Sequence, residues 1–224
     1  MIVTKETRSH IGVGLYSVAD AARLLNAPKS NVYRWASADE QLLPRYFDPS
    51  EHILTFTELM ELHFIKMFRD EGVALQTIRK ASHAAAERFE TDYPFSAQRF
   101  DTDGKTIFAT LIDEQQDREM IEELQRGQYV FGSVMRPFFR KLEYRATNNA
   151  VSQFWPRGKR GHIVLDPLRK FGKPIAAESG IPTQAIFDAV TAGRGQPPSI
   201  VARWLGISVS AVNAAVAFER SLPA

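Results

Sequence analysis

The chain contains no cysteine, and that absence removes disulfides, thiolate metal ligands and cysteine nucleophiles together. It has no apolar run near the roughly 18 residues a membrane span requires, and MIVTKETRSH at its start lacks the apolar centre of a signal peptide. A soluble cytoplasmic protein is expected. The histidines at 10, 52, 63, 83 and 162 do not stand at metal-ligand spacing, nor beside a nucleophile and a carboxylate, so each is read as structural or solvent-exposed. HIGVGL and AGRGQPPS pair glycines without the Gly-Lys-Ser/Thr ending of a phosphate loop or the strand and helix of a dinucleotide site, and read as loops. The expectation is therefore a non-enzyme with no catalytic residue, no metal and no cofactor.

Excess charge is also scarce: the net charge is +2 over 224 residues, and 44% of the residues are hydrophobic, ample for buried cores. That length suits two globular units or one elaborated domain. The charge is uneven, with nine Lys and Arg against four Asp and Glu in residues 151–224, a surplus of +5, while the rest of the chain stands at −3. A basic final third suits a polyanion or an acidic partner equally well.

SVADAARLLNAPKSNVYRW, residues 17–35, reads as two short helices around a tight corner. Ser17 and Asp20 have the spacing of a capping box, in which the hydroxyl accepts an orphan N–H of the first turn. Val18, Ala21, Ala22 and Leu25 recur on one face. Asn26 tolerates unusual backbone angles, and Pro28 can open the next helix. There Val32, Trp35 and Ala36 face the core and leave Lys29, Ser30, Asn31, Tyr33 and Arg34 outward, a set rich in groups that bond bases or phosphates. LLPRYFDPSEHILTF then reads as a short hairpin, or wing, and Thr55 with Glu58 caps a further helix.

The order YSVADAARLL, VYRW, PRYF, ILTFTELMELHFIKMFRDEGVALQTIRKA resembles the DNA-binding domain of MerR-type regulators over about residues 15–82. The resemblance implies that Ser30, Asn31 and Arg34 meet base edges, with Lys29, Tyr33 and the wing residue Arg45 on phosphates. Two departures stand out. Tyr33 replaces a usual arginine, and the long dimerisation helix of that family is cut short here near Pro94, with only Leu75, Ile78, Ser82, Ala85 and Phe89 in its apolar stripe.

In the middle, FDTDGKTIF carries Asp103-Gly104 between apolar flanks, the pair a tight hairpin turn prefers. The acidic run from Asp113 to Glu123, with Met120, Ile121 and Leu124 on one side, reads as a solvated helix face. Val130, Phe131, Val134 and Phe138 make a buried stripe bent at Pro137.

HIVLDP then reads as a strand stopped by Asp-Pro, FGKPIAAESGIP as a turn-rich crossing, and Pro182 as the start of a helix with Ile186, Phe187 and Val190. SIVARWLGISVSAVNAAVAF is a second helix-turn-helix, with Ala202, Gly206 and Val212 at its packing, corner and core positions. Its second helix offers Ser208, Ser210 and Asn213 but no cation before Arg220. Without the phosphate term that dominates DNA affinity, it is assigned to subunit or partner contacts.

The segment VLDPLRKFGKPIAAESGIPTQAIFDAVTAG with IVARWLGISVSAVNAAVAFE resembles a small helical domain of antitoxins found beside PIN-like ribonuclease toxins. Joined to the MerR-like head and FWPRG, the whole chain resembles VapB-type antitoxins of the two-domain kind. That resemblance implies a repressor of its own operon that binds DNA and neutralises a PIN-like toxin. The cations Arg157, Lys159, Arg160, Arg169, Lys170 and Lys173 could meet the acidic surface of such a toxin, clamp flanking phosphates, or be solvated.

The expected fold is mainly α (α+β): a winged helix-turn-helix domain over 1–92, a mixed hairpin and helical region over 93–160, and a C-terminal helical domain over 161–224. A homodimer is expected, because one short recognition helix reads few base pairs. The alternatives are a free-standing MerR-like regulator that senses a small molecule, and a protein-interaction module that never touches DNA.

Overall fold

A computed structural model describes residues 12–37, 42–147, 149–192 and 195–223. The architecture is mainly helical with two small antiparallel sheets. Strand β1 (Tyr16–Ser17) runs into α1 (Val18–Leu25), and α2 (Lys29–Trp35) follows after a corner. Strand β2 (Ile53–Leu54) leads into α3 (Phe56–Asp70), then α4 (Leu75–Phe89), α5 (Gln98–Asp113), α6 (Arg118–Val130) and the short α7 (Arg136–Phe139). Strands β3 (Leu142–Tyr144), β4 (Val151–Phe154), β5 (Ile163–Leu165) and β6 (Pro174–Ala176) form a four-stranded sheet in sequence order. Helices α8 (Thr183–Thr191), α9 (Pro198–Leu205) and α10 (Val209–Ser221) complete the fold. No single helix among the described residues is long and apolar enough to cross a membrane.

Both capping boxes form as the spacing predicts: the Ser17 and Thr55 hydroxyls accept the Asp20 and Glu58 N–H groups, and each carboxylate returns to the cap N–H. Helix α3 is the axis of the main core. Leu59, Met60, Leu62, Phe64, Ile65 and Phe68 are all buried, so this helix is surrounded rather than faced on one side. Phe64 meets Phe95, Phe100, Phe138 and Phe139 at ring separations of 5.1 to 6.4 Å.

Two buried carboxylates on α3 hold the loops around it. Glu61 accepts the N–H groups of Phe95 and Ser96, and Glu58 accepts those of Tyr46 and Thr55. One continuous core runs from Tyr16 to Leu165, and a smaller one gathers Ile163, Ala176, Ile186, Val201, Val212 and Phe218.

The structure corrects three local expectations. Asp103-Gly104 is not a hairpin turn but lies inside α5. The decisive signal is Phe100, Ile107 and Phe108 at helical spacing, all buried. Gly104 is there because a Cβ would stand 2.4 Å from the Phe131 ring, and Gly127 of α6 lies reciprocally under Phe108 at 2.6 Å.

The segment 42–56 does not fold back as a hairpin; β2 pairs instead with β1, Tyr16 opposite Leu54. FGKPIAAESGIP contains a strand, β6, whose residues 174–176 pair with 163–165 of β5. The bend at Pro137 is taken up by a π-helical turn at Phe131–Met135, which accommodates a residue that cannot donate to the preceding turn. A hairpin does exist in the middle region, formed by β3 and β4.

Candidate nucleic-acid interface

The corner between α1 and α2 is built by Asn26, which adopts a left-handed conformation at φ 49° and closes α1 by donating to the Ala22 and Arg23 carbonyls. Val18, Ala21, Ala22 and Leu25 of α1 and Val32 and Trp35 of α2 are buried together. Packing on that side leaves Lys29, Ser30, Tyr33 and Arg34 exposed and Asn31 half-buried. The structure therefore brings five of the six residues expected at DNA onto one helix. The Tyr33 ring leans on His52 at 5.2 Å, which ties α2 to the loop that precedes β2.

The sixth, Arg45, is placed differently. Its side chain is buried against Glu58, with Nε 3.0 Å from the carboxylate, and it donates to the Ala36 carbonyl at 2.7 Å and the Ile53 carbonyl at 2.5 Å. All three guanidinium nitrogens are thus used inside the protein. Arg45 fixes the end of α2 and the start of β2 to α3, and its charge does not face solvent beside Lys29.

The second helix-turn-helix also forms: Gly206 turns the corner at φ 65°, Ser208 caps α10, and the two helices bend by 112°. Ala202 and Val212 are buried as expected. The Glu178 carboxylate accepts both the Ser208 N–H at 2.9 Å and its hydroxyl at 3.1 Å. An anion thereby occupies the end of α10 where a DNA phosphate would seat.

The six cations from Arg157 to Lys173 are not one patch engaged alike. Arg157 donates to the Ala217 carbonyl at 2.8 Å, Lys159 pairs with Glu143 at 2.6 Å, and Arg169 donates to the Ala177 carbonyl at 3.1 Å. Arg160, Lys170 and Lys173 are exposed. Among the described residues no three carboxylate or imidazole side chains converge as a metal site.

Sequence reasoning missed the links between head and tail. Arg23 of α1 pairs with Glu219 of α10 at 2.7 Å, and Thr183 donates to the other Glu219 oxygen. The Tyr16 hydroxyl donates to the Gly172 carbonyl at 2.6 Å. Burial above all, with Asp166 and Asp20 nearby, pushes the Tyr16 phenol far above its ordinary pKa, so it is a fixed donor. Only tertiary packing brings these partners together; no local spacing marks them.

No protein-family model matches the chain. The chain is similar to a Mycobacterium tuberculosis H37Rv protein named "Putative antitoxin VapB45", at 24% identity over 210 residues, covering 84% of this chain and 87% of that protein. Its fold is that of a crystal structure of Rv2018 from Mycobacterium tuberculosis, with a TM-score of 0.75 and 21% identity over 92% of this chain and 98% of the other.

Proposed function

We propose that this chain is a sequence-specific DNA-binding antitoxin that represses its own operon and neutralises a PIN-like ribonuclease toxin by direct binding. The protein acts in the cytoplasm as a homodimer and performs no catalysis. The observation that carries the DNA half is the outward face of α2, where Lys29, Ser30, Tyr33 and Arg34 stand exposed on a helix held at a helix-turn-helix corner. Arg34 and Ser30 supply base-edge donors and acceptors, Lys29 and Tyr33 phosphate contacts, and Asn31 one further base contact from its half-buried position. Arg45 contributes by holding α2, not by touching DNA.

The antitoxin half is supported by the distant likeness to the protein named as an antitoxin, which extends over most of both chains. A seven-residue α2 reads few base pairs, so two copies on a palindromic site are needed for useful specificity. Footprinting on DNA from upstream of the gene tests the reading. Two protected half-sites separated by about one helical turn are expected, and no protection at any concentration would remove it.

One observation favours a second reading, the regulator that senses a small molecule. A cavity of about 140 Å³ lies where head, hairpin and tail meet, lined by Leu24, Leu59, His63, Phe138, Phe154 and Phe218. An apolar ligand of a few heavy atoms released on denaturation of the purified protein would support it.

A further inference from the structure

The loop between β5 and β6 presents two large apolar side chains to solvent within four residues: Leu168 is 71% exposed and Phe171 61%. Its backbone is strained at the same place. Lys170 and Phe171 are both left-handed, at φ 48° and 55°, and only the third residue of the run is a glycine, Gly172 at φ 82°. Two consecutive non-glycine residues in that region are costly, and such strain persists only where the surroundings enforce it. Here the Leu15 N–H donates to the Phe171 carbonyl at 2.9 Å and the Tyr16 hydroxyl to the Gly172 carbonyl. Leu168 is positioned by Asp166, whose buried carboxylate accepts its N–H at 2.9 Å. Hydrogen bonds from the distant Leu15 and Tyr16 thus hold the strained backbone at Phe171 and Gly172, and a local one from Asp166 holds Leu168.

Charge identifies what they meet. Lys170 and Lys173 flank Phe171, both are exposed, and neither forms an ion pair among the described residues. The one carboxylate of the loop's own stretch, Asp166, is buried and already bonded to Gln153. An apolar centre rimmed by exposed cations fits a protein surface with an apolar depression and an acidic rim. Nucleic acid fits less well, because its phosphates gain nothing from an exposed leucine and phenylalanine.

We propose that the loop 168–173 is the docking surface for an acidic protein partner, with Leu168 and Phe171 as its anchors and Lys170 and Lys173 as its charge-matching rim. The inference rests on the antitoxin reading, under which that partner is the PIN-like toxin. Its residues are distinct from the exposed residues of α2, so the two proposed contacts are made by different side chains.

Phe171→Gly is the discriminating variant, because glycine accepts the left-handed backbone while removing the anchor. The full-length protein and this variant are titrated by calorimetry against the purified PIN-like ribonuclease encoded beside the gene, and thermal melts are recorded in parallel. The expected result is binding weakened at least tenfold with a melting temperature equal to or above that of the parent. Lys170→Glu with Lys173→Glu is expected to weaken binding similarly, with the loss growing as salt is lowered. Wild-type-like binding by Phe171→Gly overturns the docking surface and leaves the antitoxin reading standing. Absence of binding by the parent protein itself overturns that reading, and the surface with it. Loss of operator binding by Phe171→Gly, with toxin binding intact, would assign the loop to DNA and overturn the proposal.

Discussion

The Tyr16 hydroxyl donates a 2.6 Å hydrogen bond to the carbonyl of Gly172, a residue 156 positions further along the chain. Tyr16 belongs to the strand that starts α1, and Gly172 to the loop that displays Leu168 and Phe171. The start of the α1–α2 helix pair and the loop 168–173 are therefore joined by a shared contact.

That contact is tightly fitted, and it yields a stability prediction. A Cβ on Gly172 would stand 2.2 Å from the Tyr16 hydroxyl oxygen and 2.9 Å from its Cζ. Tyr16→Phe leaves a buried carbonyl without its donor and is expected to cost about 1–3 kcal/mol. Gly172→Ala adds the clash to a φ of 82° and is expected to cost more. In the double variant the hydroxyl clash is absent, so its cost should fall below the sum of the two singles in chemical denaturation. Strict additivity would contradict the contact.

Arg45 is predicted to act on stability before it acts on DNA. Removing it leaves the buried Glu58 carboxylate uncompensated and frees the Ala36 and Ile53 carbonyls. Arg45→Ala should therefore cost about 3–5 kcal/mol. A surface phosphate contact would instead leave the melting temperature nearly unchanged, so a thermal melt separates the two roles.

Two buried groups on α3 set opposing pH dependences. Burial raises the Glu61 pKa to about 7 despite its bonds to Ser96 and Phe95, and burial lowers that of His63 to about 3, with Lys66 and Lys141 adding to the effect. For Glu61 the unfolded chain loses the proton from 4.5 upward while the native state keeps it, so stability falls as pH rises from 4.5 to 7. For His63 the unfolded chain gains a proton below 6.5 that the native state refuses, so stability falls as pH drops from 6.5 toward 3. The parent should be nearly flat between 4.5 and 6.5. Glu61→Gln should gain stability with rising pH across that window, and His63→Leu should lose it. Melts across the range check the two signs, and unchanged slopes in both variants would contradict the assignment.

On α2, the two kinds of exposed side chain should behave differently. Arg34→Ala is expected to cost about 1–3 kcal/mol on the native site and to relax discrimination at one base position. Lys29→Ala is expected to weaken all sequences alike and to reduce the salt slope by about one. Binding isotherms on native and scrambled duplexes distinguish them.

What the sequence makes legible is what short spacing determines. The boxes at Ser17–Asp20 and Thr55–Glu58, the corner at Asn26 and the second corner at Gly206 all depend on neighbours within a few residues, and all form as read. The outward face of α2 follows from the same local period. The strand partner of Ile53–Leu54 was not legible, because it lies at Tyr16–Ser17, before two helices. Arg45 illustrates the same limit: PRYF shows a cation in a loop, and only the packing of Glu58 on α3 turns it inward. Asp103-Gly104 carried two conflicting signals. The turn preference of the pair lost to the helical spacing of Phe100, Ile107 and Phe108, because burying three large side chains outweighs one local preference. Leu168 and Phe171 sit in a stretch that reads as ordinary loop, and the backbone at Phe171 and Gly172 is held by the distant Leu15 and Tyr16.

The most direct test of the account is fluorescence anisotropy of the full-length protein on DNA from upstream of its own gene, against a scrambled duplex, across a salt series. The account predicts tight binding to the native DNA alone, with log affinity falling linearly in log salt and with the preference reduced by Arg34→Ala. Equal binding to both duplexes, or none to either, would contradict it and leave a protein whose contacts are with other proteins.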